Sequence, residues 1–346
     1  MSERHPFAVF IRTIGTGPGR ARPLTEDEAR RAASMMLDGS AEEAQCAALL
    51  MLLRYRKETP EELAGFVRAV RDGIALPDPA PAVDLDWPSY AFSRNRGAPL
   101  FLLSALLLAG AGVKVLMHGL DAAAPYAGPT ASALAELGIP AAPGPEEAAR
   151  RLAASGFAFL PLSAFQPGLQ RLLNLRALMG LRSPANTVAR LMNPFASAAT
   201  VGGVFHPAYR DLQQRTAGLL GDTRIGVFKG GGGEAERNPA KECELFVVEG
   251  GDAATEIWPA LLGGPARRAM DAPAPPSLAA LWRGDWTDDH AVATVTGTAA
   301  IALRLAGRAD GAEAADRAAH DLWEARDRAR LPASSGLPPH PARARA

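Results

Sequence analysis

The chain has 346 residues, is 48% hydrophobic and balances 37 Lys and Arg against 37 Asp and Glu. The length suggests about two domains, the apolar share suffices for a real core, and zero net charge excludes a global field that would draw in nucleic acid. Any such function must rest on local patches. Cys46 and Cys243 stand far apart in no metal spacing, which fits a reducing cytoplasm. The N-terminus has no signal pattern, and the most apolar run, Ala98 to Ala111, is short of a membrane span.

The first third is helical and marks its helix starts. Thr25-Glu-Asp-Glu28, Ser40-Ala-Glu-Glu43 and Thr59-Pro-Glu-Glu62 each place Glu three residues after Ser or Thr, the spacing of a capping box. Pro60 sits at a first helical position, where its missing N–H costs nothing. Apolar spacing predicts helices over 29–37, 44–55 and 63–71, with Gly39 and Gly73 closing the first and third. The stretch Pro77-Asp-Pro-Ala-Pro-Ala82 reads as a stiff linker.

Beyond it the pattern alternates. Strands are predicted at 82–85, 113–117, 157–160, 200–205, 224–228 and 244–248, and helices at 101–111, 130–137, 146–155, 293–306 and 311–328. Alternation of this kind predicts an α/β domain around a mostly parallel sheet covered on its faces. From Leu331 the chain is rich in Pro, Ser, Ala and Arg and reads as disordered.

Two segments carry candidate chemistry. Val227 to Pro239 runs from an apolar strand into Gly230, Gly231, Gly232 and Gly233, then Glu234-Ala-Glu-Arg237. Glycines let backbone approach a ligand, so this is either a phosphate loop or a plain connecting turn. Glu234 and Glu236 are split by Ala235 and project apart unless the loop folds back, which leaves little of the paired carboxylates that magnesium requires. The second segment, Phe165 to Pro194, holds Arg171, Arg176, Arg182 and Arg190 and no acidic residue. Arginine forks bind phosphates in pairs of hydrogen bonds; the alternative is a solvated helix face with its stems packed on the core.

At this point the residues resemble a known family. Leu24-Thr-Glu-Asp-Glu-Ala29, Glu58 to Arg71, Ala111 to Gly119 with its His118-Gly119, Ala135-Glu-Leu-Gly-Ile139, Leu175 to Arg182 and Met192-Asn-Pro194 follow, in order, the pattern of anthranilate phosphoribosyltransferases. The resemblance implies a small all-helical domain, residues 1–76 with 165–190, and a larger α/β domain with a central sheet, residues 82–164 with 191–330. It also implies that Arg176 occupies the place of a residue used on the anthranilate carboxylate.

The departures are equally specific. Leu85 to Gly97 replaces the family's Gly-Thr-Gly-Gly-Asp phosphate loop, and Pro99-Leu-Phe-Leu102 replaces its Asn-x-Ser-Thr. Met117 and Leu120 replace the Lys and Asn of Lys-His-Gly-Asn, and Ala235-Glu236 replaces the Asp-Glu metal pair, leaving Glu236 vestigial. These departures resemble the YbiB type within that family. That resemblance implies a homodimer binding single- and double-stranded nucleic acid without sequence preference, at Arg94, Arg96, Arg171, Arg176, Arg182 and Arg190. Lys229 and Arg237 beside the glycine run, and Arg12, Arg20 and Arg22 near the start, are lesser candidates. His118, Gly119 and Gly230 to Gly233 are then a vestigial phosphate site, with no catalytic residue, no metal and no cofactor. Two other readings stay open: a glycosyl or phosphoribosyl transferase with a different substrate, kept by the glycine run and His118-Gly119, and a dimeric scaffold with solvated arginines.

Overall fold

The structure, a computed structural model, describes residues 4–17, 19–91, 97–263 and 275–334. Its first element, α1 (Ala8–Gly15), buries Phe10 and Ile14 against α3 (Glu43–Arg56). No helix was expected here, although Phe10 and Ile14 stand four residues apart on one face. Helices α2 (Glu26–Asp38) and α4 (Pro60–Asp72) begin with the expected boxes: Thr25 accepts from the Glu28 N–H, Thr59 from the Glu62 N–H, and each Glu reaches back. Gly39 closes α2 in the left-handed region, whereas Gly73 ends α4 at φ −90°. The start expected at Ser40 lies two residues later. Glu42 caps α3 with Gln45 as partner, because the Ser40 N–H is already donated to Asp38.

The helices pack closely through small residues. A Cβ on Gly65 of α4 would sit 2.2 Å from the Glu26 carbonyl oxygen of α2, so only glycine permits this crossing. Chain 165–190 returns to these helices as α8 (Pro167–Asn174), α9 (Arg176–Met179) and α10 (Ala185–Val188). Gly168 abuts the Leu37 backbone, and the Gln166 side-chain amide donates to the Val70 carbonyl.

The sheet has seven strands: β1 (Leu85–Ser89), β2 (Val115–Gly119), β3 (Phe157–Pro161), β4 (Ala199–Val204), β5 (Arg224–Lys229), β6 (Cys243–Glu249) and β7 (Asp252–Trp258). Their order is β3-β2-β1-β4-β5-β6-β7, parallel through β5 and antiparallel for the last two. The first strand begins three residues later than its sequence pattern indicated. Strand β7 went unpredicted because, as an exposed edge, Asp-Ala-Ala-Thr-Glu carries little apolar signal. The mostly parallel α/β architecture is as expected.

Helices cover the sheet, among them α5 (Phe101–Gly110), α6 (Thr130–Glu136), α7 (Pro145–Ser155) and α11 (Ala208–Leu220). The C-terminal α12 (Leu278–Arg283), α13 (Asp289–Leu305) and α14 (Gly311–Ala325) complete the described elements. Helix α5 is apolar nearly all round because it lies between the sheet and α13, and its one polar side chain, Ser104, donates to the Val295 carbonyl. Leu331, expected to open a disordered tail, is instead buried in this core; residues 335–346 lie outside the described chain. No helix among the described residues is long and apolar enough to cross a membrane.

Candidate functional site

Strand order reverses between the parallel neighbours β1 and β4: β2 and β3 extend to one side, β5 to β7 to the other. In open parallel sheets ligands sit outside the carboxyl ends of strands at such a switch point. Here that position holds Tyr90 after β1, His118 at the end of β2, Phe205 after β4 and the glycine run after β5.

A cleft of about 460 Å³ opens there, lined by Arg54, Arg176, Arg182, Arg190, Phe205 and Tyr209, with Gly232 at its edge. Arg54 comes from α3, Arg176 from α9 and Arg182 from the turn before α10, so both layers of the molecule contribute. Burial and then the neighbouring Arg190, Arg176 and Arg54 push the Arg182 guanidinium down to about 10. The Arg176 guanidinium lies 4.2 Å from the Tyr126 ring centroid, a cation–π contact. Burial raises the Glu58 carboxyl, with Arg54 among the groups opposing, and burial followed by Glu58 raises the Tyr209 phenol. Crowded guanidiniums beside aromatic walls suit a planar or phosphorylated anion.

The structure separates arginines that the sequence read as one patch. Arg176 and Arg182 share the cleft. Arg171 points elsewhere, donating to the Leu37 carbonyl at the end of α2, though it stays exposed. Arg190 is 9% exposed and donates to the carbonyls of Gly203 and Gly233, so it forms the cleft floor and is withdrawn from any extended surface. Arg237 is fully buried, paired with Asp316 at 2.7 Å and donating to the Pro259 carbonyl; its expected role in phosphate contact is excluded by burial. Lys229 is exposed on a smaller, separate pocket with Lys241. Arg94 and Arg96 lie outside the described residues. Near the start, Arg12 and Arg20 are exposed, while Arg22 pairs with Glu28.

The proposed vestigial phosphate loop is turned inward. The Gly230 N–H donates to Val204, the Gly231 N–H to Glu236 and the Gly233 N–H to Gly230, all at carbonyl oxygens. Amides spent this way do not cradle a phosphate. Gly232 adopts φ 65°, which folds the loop back, and both glutamates point into the protein. Glu234 accepts from the Ala91 N–H at 2.7 Å and Glu236 from the Phe101 N–H at 3.1 Å. His118 is fully buried between Tyr90, whose hydroxyl is 2.8 Å from Nδ1, and Asp86, 3.1 Å from Nε2. Burial, followed by Asp86, pushes the Tyr90 phenol up.

Sequence reasoning missed Arg54, Phe205, His206 and Tyr209, which join the cleft only through tertiary packing. The one available signal was the basic last turn of α3, Arg54 and Arg56.

Residues 9–73 match the helical bundle domain of a glycosyl transferase family, and residues 100–324 match that family's α/β domain. The chain belongs to the anthranilate phosphoribosyltransferase-like glycosyl transferase family. It is 32% identical to an anthranilate phosphoribosyltransferase of Geobacillus thermodenitrificans, over 83% of this chain and 86% of that one. With anthranilate phosphoribosyltransferase 2 of Streptomyces coelicolor it shares 32% identity, over 90% and 99%. The fold is similar to anthranilate phosphoribosyltransferase of Thermus thermophilus, with a TM-score of 0.76, 24% identity, and 92% and 94% coverage. A Saccharomyces cerevisiae anthranilate phosphoribosyltransferase, solved with phosphoribosyl pyrophosphate and magnesium, superposes with a TM-score of 0.74 at 15% identity, over 92% and 93%.

At these strand ends the residues do not fit a magnesium–pyrophosphate group. Hard carboxylate oxygens are what magnesium needs, and Glu234 and Glu236 are bonded to backbone N–H groups of their own chain.

Proposed function

We propose that this chain is a glycosyl or phosphoribosyl transferase whose substrates differ from those of its anthranilate-using relatives. The observation that carries the reading is the cleft, where Arg54, Arg176 and Arg182 converge beside Phe205 and Tyr209 at the switch point of the sheet. Guanidinium forks take a carboxylate or phosphate, and the aromatic walls take a flat ring. The relatives are named for phosphoribosyl transfer to anthranilate, which supports transfer as the reaction class. The inward glutamates and buried Tyr90 argue for a donor other than magnesium phosphoribosyl pyrophosphate. Two unpaired, buried cysteines fit a cytoplasmic setting.

Calorimetry with anthranilate, benzoate and a nucleoside monophosphate tests the acceptor side. Benzoate or the nucleoside monophosphate is expected to bind more tightly than anthranilate, and Arg182→Ala to weaken that binding about tenfold, as for loss of one charge-assisted contact. Absence of binding by all three overturns the reading.

A second reading, non-sequence-specific nucleic-acid binding by a homodimer of the YbiB type, is favoured by one observation. Arg171, Arg176 and Arg182 share a segment with no acidic residue, next to the exposed Leu178 and Leu181. Its signature is salt. Log affinity for duplex falls against log salt with a slope near ~0.9 per phosphate neutralised, and each Arg→Ala change at 171, 176 or 182 flattens it by about one. Oligonucleotides long enough to span two protomers gain avidity. Unchanged affinity in the triple variant excludes this patch.

A further inference from the structure

We infer, taking the cleft as the acceptor site proposed above, that its ligand is a flat aromatic dianion, a dicarboxylate or a phosphate monoester, and not a ring with one carboxylate such as anthranilate. Among the described residues, four guanidiniums and no carboxylate line the cleft: Arg54, Arg176, Arg182 and Arg190. They come from α3, α9, the turn before α10 and the chain after it, so they converge from both layers of the molecule. Arg190 already donates to the Gly203 and Gly233 carbonyls and offers the ligand its charge more than its hydrogen bonds. The other three offer forks. A single carboxylate has two oxygens and occupies one fork. With only that ligand bound, the remaining guanidiniums face one another in a space emptied of water, where like charges repel more strongly than in solvent. A second charged group on the ligand relieves that repulsion and occupies a second fork.

The crowding is visible in the arginines themselves. Burial and then Arg190, Arg176 and Arg54 oppose the charge on Arg182. Burial also lowers Arg190, with Glu234 opposing, and Arg54 is among the groups opposing the rise of the Glu58 carboxyl. Both glutamates act from outside the lining of the cleft. The wall adds a neutral donor. Asn186, which lines the cleft, is 7% exposed, and its Oδ1 accepts from the Ser183 N–H at 3.2 Å. Its Nδ2 has no hydrogen-bond partner among the described residues. A buried donor in that state is costly, and a ligand rich in oxygens answers it. Phe205 and Tyr209 supply the walls for a ring, and about 460 Å³ holds one ring with two anionic groups.

The test sets each dianion against its own singly charged ester, by calorimetry on the full chain at a pH of ~7.5, where a phosphate monoester has lost its second proton. Isophthalate is compared with monomethyl isophthalate, and phenyl phosphate with phenyl methyl phosphate. At least one dianion is expected to bind about tenfold or more tightly than its ester, the scale of one further charge-assisted contact. The pair that shows the gap tells a dicarboxylate site from a phosphate monoester site. Arg54→Gln is expected to weaken that dianion about tenfold and its ester less than about threefold. The comparison of ligands needs no variant and decides the matter by itself where Arg54→Gln does not fold. Equal affinities within both pairs overturn the inference alone, as does binding of benzoate or anthranilate without binding of either dianion. A folded Arg54→Gln that weakens dianion and ester equally also overturns it. Silence of every ligand overturns the transferase reading along with it.

Discussion

Arg237 and Arg182 carry the same charge and face opposite fates, and burial of the partner decides which. Arg237 is fully enclosed, with Asp316, the Pro259 carbonyl and the Trp258 ring around it. Burial raises the Asp316 carboxyl and Arg237 opposes that rise. Removing one member of such a pair strands the other, so Arg237→Ala is expected to cost about 3–5 kcal/mol in urea unfolding. A loss under about 1 kcal/mol would show the pair to be ornamental. Glu28 makes the complementary case for acid. Its hydrogen bonds from Arg22 and Thr25 hold its carboxyl down to about 2, against an ordinary value near ~4.3. Because the folded value is the lower one, the contribution is complete above ~4.3 and disappears as pH falls through about 2. Arg22→Ala is expected to move the Glu28 titration, read by carboxyl NMR, back toward its ordinary value, since the Arg22 hydrogen bond is the largest cause of the shift.

At the level of elements, α2 and α4 show a propensity overruled by packing. Gly65→Ala would add helix propensity of roughly 1 kcal/mol. Its methyl, however, would meet the Glu26 carbonyl oxygen at 2.2 Å and the Ala29 Cβ at 2.8 Å. Backbone yields poorly, and overpacking of this kind costs about 1–3 kcal/mol. The clash wins, so calorimetry is expected to show a lower melting temperature; a rise would mean that the crossing is looser than described. By contrast, Thr59→Ala removes only a cap at the start of α4, and a loss of about 1 kcal/mol is expected.

Across the whole molecule, the helices before β1 are bolted to the α/β layer by arginines of α4. Arg71 pairs with Asp222 at 2.8 Å and donates to the carbonyls of Leu191 and Met192, and Arg68 donates to the Leu219 carbonyl. Burial raises the Asp222 carboxyl, with Arg71 opposing. Arg71→Ala is therefore expected to cost about 3 kcal/mol and to loosen the coupling between the layers that form the cleft. The check is whether the calorimetric and van't Hoff enthalpies, equal for a cooperative transition, separate in the variant. Equal enthalpies with an unchanged midpoint would place the coupling elsewhere, in the packing of α11 on α4.

What the sequence determined by itself was local. The boxes at Thr25 and Thr59, the buried α5 and the alternation that makes a parallel sheet are written in spacings of three, four and two residues, and such spacings act within one element. The glycine run was legible as a place of close approach, and Arg176 and Arg182 as members of a cationic site. Which partner the glycines approach was decided by tertiary structure. Glu236 meets Phe101 and Glu234 meets Ala91 across more than a hundred residues, and no local pattern encodes a contact of that range. The same holds for the four arginines of Phe165 to Pro194. Equal in sequence, they divide into a cleft pair, a floor and a helix-end contact, because exposure is set by what folds over each side chain and not by its own charge.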